Sequence, residues 1–300
     1  MTEDIVVARK LTVFEYEGKK EGINPTAGLE RFKKLGSDGE RILRSHLRQL
    51  KSFDEITSVL DNPQIIVGDE IDKGLFKPNS LVIALGGDNY FQHVAHFIDN
   101  QLILGINADP ETSSGALLNF TADSFIDFLP RLQNREFNID EWVRLQARIN
   151  GQRVQFLATS EIYIGAYKST DMSRYSLKYP NRLTKLISNT RRIMEKEEQK
   201  SSGIIVATAS AGLTGWYKAA AHITHSDDEK EANRAWFTVR EPFKSKKTDG
   251  YLNPHEQLMI TWLAHNNGMV NIDASDEHEV KRGDTIEVRI SDQPLRVVTP

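Results

Sequence analysis

The chain has 300 residues, 39% of them hydrophobic and 27% charged, an ordinary balance for one large globular domain or two of medium size. Its 38 basic and 42 acidic residues give a net charge of −4. No global positive field draws nucleic acid or another polyanion, so small molecules or proteins are the default partners. Cysteine is absent, which excludes disulfides, thiolate metal sites, iron–sulfur clusters and a cysteine nucleophile together, and leaves catalysis to carboxylates, histidines, hydroxyls or lysines.

Glu3 and Asp4 stand where a signal or transit peptide would carry positive charge, so the N-terminus reads as the start of a strand, Ile5-Val-Val-Ala8. The longest nearly apolar stretches, 81–87 and 203–212, fall short of the ~20 residues that span a bilayer. A soluble, cytoplasmic protein with no membrane contact is expected. Apolar runs at 5–13, 65–67, 81–85 and 102–106 alternate with amphipathic stretches at 29–53, 91–98 and 122–132. That alternation predicts a parallel α/β sheet. Leu81-Val-Ile-Ala-Leu85 is apolar at every position, as a central strand covered on both faces requires.

Beyond residue 132 the period becomes two. Val143, Leu145, Ala147 and Ile149 alternate with Arg144, Gln146 and Arg148; after Asn150-Gly151 the alternation resumes at Val154, Phe156 and Ala158. Asn-Gly between such runs signals a hairpin, because a type I′ turn needs positive φ at both central residues. Further strands are predicted at 161–164, 204–208, 236–239, 258–262, 270–274 and 285–290, with one helix beginning near Thr214. The charged run 195–202 reads as a solvated loop. This organisation predicts an α/β domain over 1–132 and a β-rich domain over 133–300, the last residues packing back on the first domain. Charge follows the same division, with net −7 before residue 130 and +3 after it.

Three local features carry chemistry. Leu85-Gly-Gly-Asp88-Asn-Tyr90 follows the buried strand and precedes a helix. The carboxyl end of a strand in an open α/β sheet is where ligands bind. Gly86 and Gly87 let backbone approach a phosphate, and Asp88 serves as a general base or a metal ligand. The alternative is a tight turn whose aspartate caps the helix. Residues 201–216 run from a strand through Thr208-Ala-Ser210-Ala-Gly212-Leu-Thr214-Gly-Trp216, either a nucleotide cradle before a helix N-terminus or a closely packed strand-to-helix turn. Thr159-Ser160-Glu161 opens a strand with a carboxylate. His93 and His96, like His222 and His225, are three apart on helical stretches, but without a third ligand surface or capping roles outweigh metal binding.

Taken together and in order, these segments resemble the NAD kinases, most closely the mitochondrial-type branch and its bacterial relatives. The likeness runs over essentially the whole chain: Val6-Val-Ala-Arg and Phe14-Glu-Tyr-Glu17, Gly86-Gly-Asp88, Gly105-Ile-Asn-Ala-Asp109-Pro, Ser160-Glu161-Ile-Tyr-Ile-Gly165, Lys200-Ser-Ser-Gly203, Thr214-Gly-Trp216 and Val239-Arg-Glu-Pro242. The resemblance implies an α/β domain and a β-rich domain with the active site between them, and phosphoryl transfer from ATP, accompanied by Mg²⁺, to the 2′-hydroxyl of the adenosine ribose of NAD. It makes Asp88 the general base, with Gly86, Gly87 and Asn89 on the phosphate loop. It places Ser160 and Glu161 on the adenosine half, and Ser210, Thr214, Gly215 and Trp216 along the nucleotide. It also implies a homodimer built through the β-rich domain.

The chain departs from the family at three of these points. Asn89 and Tyr90 stand where the family has Gly and usually Thr; asparagine tolerates the left-handed backbone such a turn would use, but its side chain is expected to crowd a phosphate that needs bare backbone. Ser160 replaces an asparagine, and Leu213 replaces a small hydroxyl residue. Two other functions follow from the changes: a kinase of the same fold acting on a sugar or lipid alcohol, or a non-catalytic dinucleotide-binding protein whose donor site Asn89 has disabled.

Overall fold

The computed structural model describes residues 4–68, 70–180, 194–213, 215–221 and 233–300. They form two compact units: the chain up to Glu141 together with Leu295–Pro300, and Trp142–Pro294. The first contains β1 (Ile5–Arg9), α1 (Val13–Glu21), α2 (Pro25–Lys33), α3 (Ser37–Val59), β2 (Gln64–Val67), β3 (Leu81–Gly86), α4 (Asp88–Ala95), β4 (Leu102–Asn107), β5 (Phe120–Thr121), α5 (Ala122–Asn134) and β6 (Asn138–Trp142). The second contains β7 (Leu145–Ile149), β8 (Gln152–Arg153), β9 (Glu161–Ala166), β10 (Ser173–Pro180), β11 (Met194–Ser201), β12 (Ile204–Thr208), α6 (Trp216–Ala221), β13 (Ala235–Val239), β14 (Asp249–Leu252), β15 (Gln257–Trp262), β16 (Gly268–Ile272), β17 (Asp276–Val280) and β18 (Thr285–Ile290). The final strand, β19 (Leu295–Thr299), returns to the first unit.

The first sheet has the order β2-β1-β3-β4-β19-β6, with β5 beside β4. β1, β2, β3, β4, β5 and β19 pair in parallel. Every residue of β3 is buried, as its unbroken apolar run predicts for a strand flanked by β1 and β4. Val7, Ile83, Leu85, Leu104 and Ile106 join Phe125, Phe128 and Leu132 of α5 in one core, each contributing ~1.5–3 kcal/mol when fully buried. α1 and α5 start at capping boxes, Thr12 with Glu15 and Thr121 with Ser124, which satisfy N–H groups that a first helical turn leaves unpaired. Register sets Arg9 beside Leu85 and Gly86 beside Asn107. The carboxyl ends of β1, β3 and β4 therefore meet at one edge of the sheet.

The second unit has two six-stranded antiparallel sheets, β11-β10-β15-β18-β7-β8 and β14-β13-β12-β9-β16-β17. Alternate residues of both, including Leu145, Ile164, Val206, Phe237, Ile260, Trp262 and Val288, form a single core, the packing of a β-sandwich. Asn150 (φ +51°) and Gly151 (φ +79°) form the β7–β8 turn with the two positive φ angles that the Asn-Gly signal predicts.

One expectation fails in this unit. The charged run at 195–202 is not a loop but most of β11, at the edge of its sheet and paired along β10 from Ser173↔Ser201 to Pro180↔Met194. Its alternation is polar. Glu195 accepts from Tyr179 OH at 2.7 Å, Gln199 Nε2 donates to Thr248 Oγ1 at 3.1 Å, and Ser201 Oγ meets Tyr175 OH at 3.0 Å. Exposed charges on such an edge discourage pairing with other chains. Among the described residues no helix is long and apolar enough to cross a membrane.

Candidate functional site

In the first unit the site is built where β3 ends. Gly87 is the N-cap of α4, and the N–H groups of Tyr90 and Phe91 both return to its carbonyl at 3.0 Å. Asp88 is the first helical residue, but its side chain does not cap α4. Its carboxylate instead accepts the Leu117 N–H at 2.8 Å and the Ala116 N–H at 3.1 Å. A cavity of about 320 Å³ opens here, lined among others by Lys10, Gly86, Gly87, Asp88, Asn89 and Asp109. A larger cavity of about 550 Å³ lies at the opposite edge, beside Ile5, Gln64 and Leu81. It contains none of the candidate site residues named from the sequence.

The two glycines differ in what they answer to. A Cβ on Gly86 would lie 3.0 Å from both Cβ and Cδ1 of Tyr90, so packing demands glycine there. A Cβ on Gly87 would meet only Ser113 Oγ, at 3.5 Å, and its φ of −116° suits any residue. Among the described residues nothing requires the bare backbone at Gly87, which faces the cavity. Asn89 lies within α4 and does not have positive φ. The left-handed turn that asparagine was expected to tolerate is therefore not used, and only its exposed side chain distinguishes it from glycine. Tyr90 is buried and donates to the Gly68 carbonyl at 2.9 Å, which anchors the ring against Gly86.

Asp109 backs the same cavity and is only 4% exposed. It accepts from Ser45 Oγ (2.5 Å), Thr112 Oγ1 (2.6 Å) and Arg48 (2.7 and 3.2 Å). Burial alone would raise its carboxyl. The hydrogen bonds from Arg48, Ser45 and Thr112 outweigh burial and hold it below the ordinary aspartate range. Asn107 Oδ1 accepts the Asp109 N–H at 3.1 Å, and its Nδ2 donates to the Ser113 carbonyl at 2.9 Å.

In the second unit, Ser160 and Glu161 open β9. Ser160 is buried and donates its hydroxyl to Glu161 Oε2 at 2.7 Å. Burial raises the Glu161 carboxyl above the usual glutamate range; the Ser160 hydroxyl opposes that shift and the charge of Asp273 adds to it. The small-residue loop is tied to this segment. Thr208 donates its N–H to Ser160 O at 2.8 Å and its hydroxyl to Thr159 O at 2.7 Å, while its Oγ1 accepts from Gly212 N–H at 3.1 Å. A Cβ on Gly212 would come within 2.3 Å of Ser160 O. Close packing thus accounts for Gly212. Ser210 Oγ accepts the Val143 N–H at 2.9 Å.

Leu213 is buried with Tyr163, Ile205 and Tyr217, so its departure from the family pattern falls on the core. Gly215 and Trp216 are exposed at the start of α6. The Arg240 guanidinium carbon lies 4.5 Å from the centroid of the Trp216 ring. Thr214, His222 and His225 lie outside the described residues. His93 packs its ring against Tyr90 and Phe97, and His96 is buried at the end of α4. Among the described residues no three His, Cys, Asp or Glu side chains gather as a metal-binding group.

Sequence reasoning missed Lys10, Asn107, Asp109 and Asp273 as site residues. The first three had a readable signal, since each stands at or just beyond the carboxyl end of a parallel strand. Asp273 had none.

No protein-family model matches the chain, and no curated protein matches it. Among solved structures, an NAD kinase from Archaeoglobus fulgidus in complex with ATP is similar with a TM-score of 0.63 and 14% identity, over 98% of this chain and 92% of that one. Yeast NADH kinase complexed with NADH is similar with a TM-score of 0.66 and 13% identity, over 99% of this chain and 84% of that one. An α/β unit with a parallel sheet, followed by a β-rich unit, is thus the two-domain architecture of the NAD kinase fold, and this chain has that fold.

Proposed function

We propose that the chain is a phosphotransferase that moves the γ-phosphoryl group of ATP to the 2′-hydroxyl of the adenosine ribose of NAD, giving NADP. The observation that carries this reading is the Asp88 carboxylate, held by two amide N–H groups at the end of β3 beside a glycine that packing does not require. Each Asp88 oxygen accepts one N–H and keeps further acceptor capacity. A hydroxyl entering the cavity can therefore donate its proton to a carboxylate already fixed in place. Phosphoryl transfer passes through a loose transition state, in which positioning and charge neutralisation matter more than a strong base. The Gly87 backbone and the Lys10 side chain line the same cavity and suit phosphate oxygens.

Glu161 is the ribose ligand in this reading: when ionised it accepts from hydroxyl groups. Mg²⁺ would be held by the triphosphate oxygens and would neutralise charge on the transferred group. The solved structures of similar fold contain ATP in one case and NADH in the other, which supports a nucleotide donor and a dinucleotide acceptor. A cytoplasmic homodimer of the mitochondrial-type branch completes the proposal.

One observation favours a different acceptor. The Ser160 hydroxyl is already engaged by Glu161, so the pair presents fewer free donors than an amide would. The deciding assay incubates purified protein with NAD, ATP and Mg²⁺ and detects NADP with a coupled dehydrogenase. NADP formation that falls ~10²–10⁴-fold in Asp88→Asn is expected. Formation that persists in that variant removes Asp88 from its role. ATP consumption only with another alcohol establishes the altered acceptor, and NAD binding without turnover establishes a binding protein.

A further inference from the structure

Asp273 follows β16 in a turn where it and Ala274 both have positive φ, +47° and +56°. Neither is glycine, so the turn holds two L-residues in a sparsely populated conformation. Its product is one directed carboxylate. Asp273 is 5% exposed, and three successive amides converge on it: Thr159 N–H on Oδ2 at 2.7 Å, and Ser160 and Glu161 N–H on Oδ1 at 2.8 and 2.9 Å. The Asp273 N–H returns to Glu161 O at 3.0 Å. β16 and β9 pair up to Ile272↔Ile162, and these contacts continue the ladder past its last strand pair, with a side chain in place of backbone.

Ordinary ladder bonds would have sufficed to extend the sheet. A buried carboxylate costs much more than an amide to desolvate, and here its charge lies close enough to Glu161 to oppose that residue's ionisation. The arrangement is therefore unfavourable for Glu161 as a mere surface acid. It is suited to holding Ser160 and Glu161 in one orientation.

We propose that Asp273 is a positioning residue for the acceptor-binding pair, fixing the backbone from Thr159 to Glu161 so that the Glu161 carboxylate is presented to a ribose hydroxyl. This rests on the reading of Glu161 as the ribose ligand. Asp273→Asn keeps an Oδ1 acceptor for Ser160 and Glu161 and sets an NH₂ against the Thr159 N–H. Asp273→Ala removes both acceptor oxygens and with them all three hydrogen bonds.

The test measures NAD affinity by calorimetry without ATP, and KM for NAD and for ATP in the coupled assay, in wild type, D273N, D273A, E161Q and the D273N/E161Q double variant. D273N is expected to weaken NAD binding about tenfold and to lower the urea midpoint, since the buried Thr159 N–H loses its acceptor, with KM for ATP little changed. D273A is expected to weaken it further. In the E161Q background the effect of D273N is expected to vanish, because two residues acting through one contact are not additive. Wild-type NAD affinity in D273N overturns the assignment. So do equal losses in KM for NAD, KM for ATP and stability, which mark a purely structural role, and full additivity with E161Q. Wild-type protein that binds no NAD overturns the reading of Glu161, and this assignment with it.

Discussion

Adjacent glycines make opposite predictions, and the contrast separates fold from function. Gly86→Ala places a methyl 3.0 Å from the Tyr90 Cβ and Cδ1 and 3.2 Å from the Lys10 Cβ. Tyr90 cannot simply swing away, since its hydroxyl is tethered to Gly68 O. Overpacking of this kind costs about 1–3 kcal/mol. Gly87→Ala meets Ser113 Oγ at an ordinary 3.5 Å and needs no backbone change. Alanine is a poorer N-cap than glycine by about 0.5–1 kcal/mol. Reduced freedom of the unfolded chain restores about 0.4–1 kcal/mol, so net stability stays within about 0.5 kcal/mol of wild type. The methyl does enter the cavity beside Asp88. If phosphate oxygens approach that backbone, a displacement of about 1 Å lowers turnover between ten- and a hundredfold. Urea unfolding at constant m-value and kcat with KM for ATP in the coupled assay measure the two effects separately. G87A with wild-type ATP kinetics refutes a phosphate contact at this backbone. G87A as unstable as G86A refutes the packing argument.

Two further outcomes are expected from the carboxylates. Asp109→Asn lowers stability at neutral pH by about 2–3 kcal/mol, because Arg48, Ser45 and Thr112 lose a buried anionic acceptor. The folded carboxyl of Asp109 lies below its unfolded value, so its stabilisation is complete above the ordinary aspartate pKa of ~3.9 and fades as pH falls through the folded value. A gap between wild-type and D109N urea midpoints that does not narrow in acid contradicts this. Glu161→Gln acts in the opposite sense. Its carboxyl is raised in the folded state, so ionisation lowers stability as pH climbs through the range between unfolded and folded values. E161Q should therefore have the higher urea midpoint at pH 7 and lose that advantage well below pH ~4.3, while NAD affinity drops about tenfold or more; a lower midpoint at pH 7 sinks the assignment.

The elements that were legible from sequence are those in which burial follows a simple apolar period. β3 announces itself by five consecutive apolar residues, and the β7–β8 turn by Asn150-Gly151. β11 does not, because the residues on its inward side are Glu195, Glu197, Gln199 and Ser201, which are satisfied by hydrogen bonds and not by hydrophobic contact. Asp88, Gly86 and Gly87 were legible because a strand-to-helix junction confines them to one place. Asp273 was not, since nothing local marks an aspartate whose partners lie more than a hundred residues earlier. The left-handed turn expected at Asn89 is absent because α4 has already begun at Asp88, so only the side chain sets this position apart from glycine.

Compensation separates the carboxylates at these two places. Asp109 has four hydrogen bonds from side chains, Asp273 three from successive amides and Asp88 two from amides. All three sit where the fold supplies donors. Among the described residues Glu161 accepts one hydroxyl on one oxygen and has a second carboxylate acting against it. A fold selected for stability alone would replace such a residue by glutamine at no cost in shape, because the amide keeps the hydrogen bond and sheds the charge. Gly87 poses the same question in backbone form, a glycine whose freedom the protein does not use. Residues that break a local rule without a structural return are where function is expected to reside. By that criterion Gly87 and Glu161 are consistent with the proposed donor and acceptor sides, alongside the Asp88 carboxylate that two amides hold away from the helix cap.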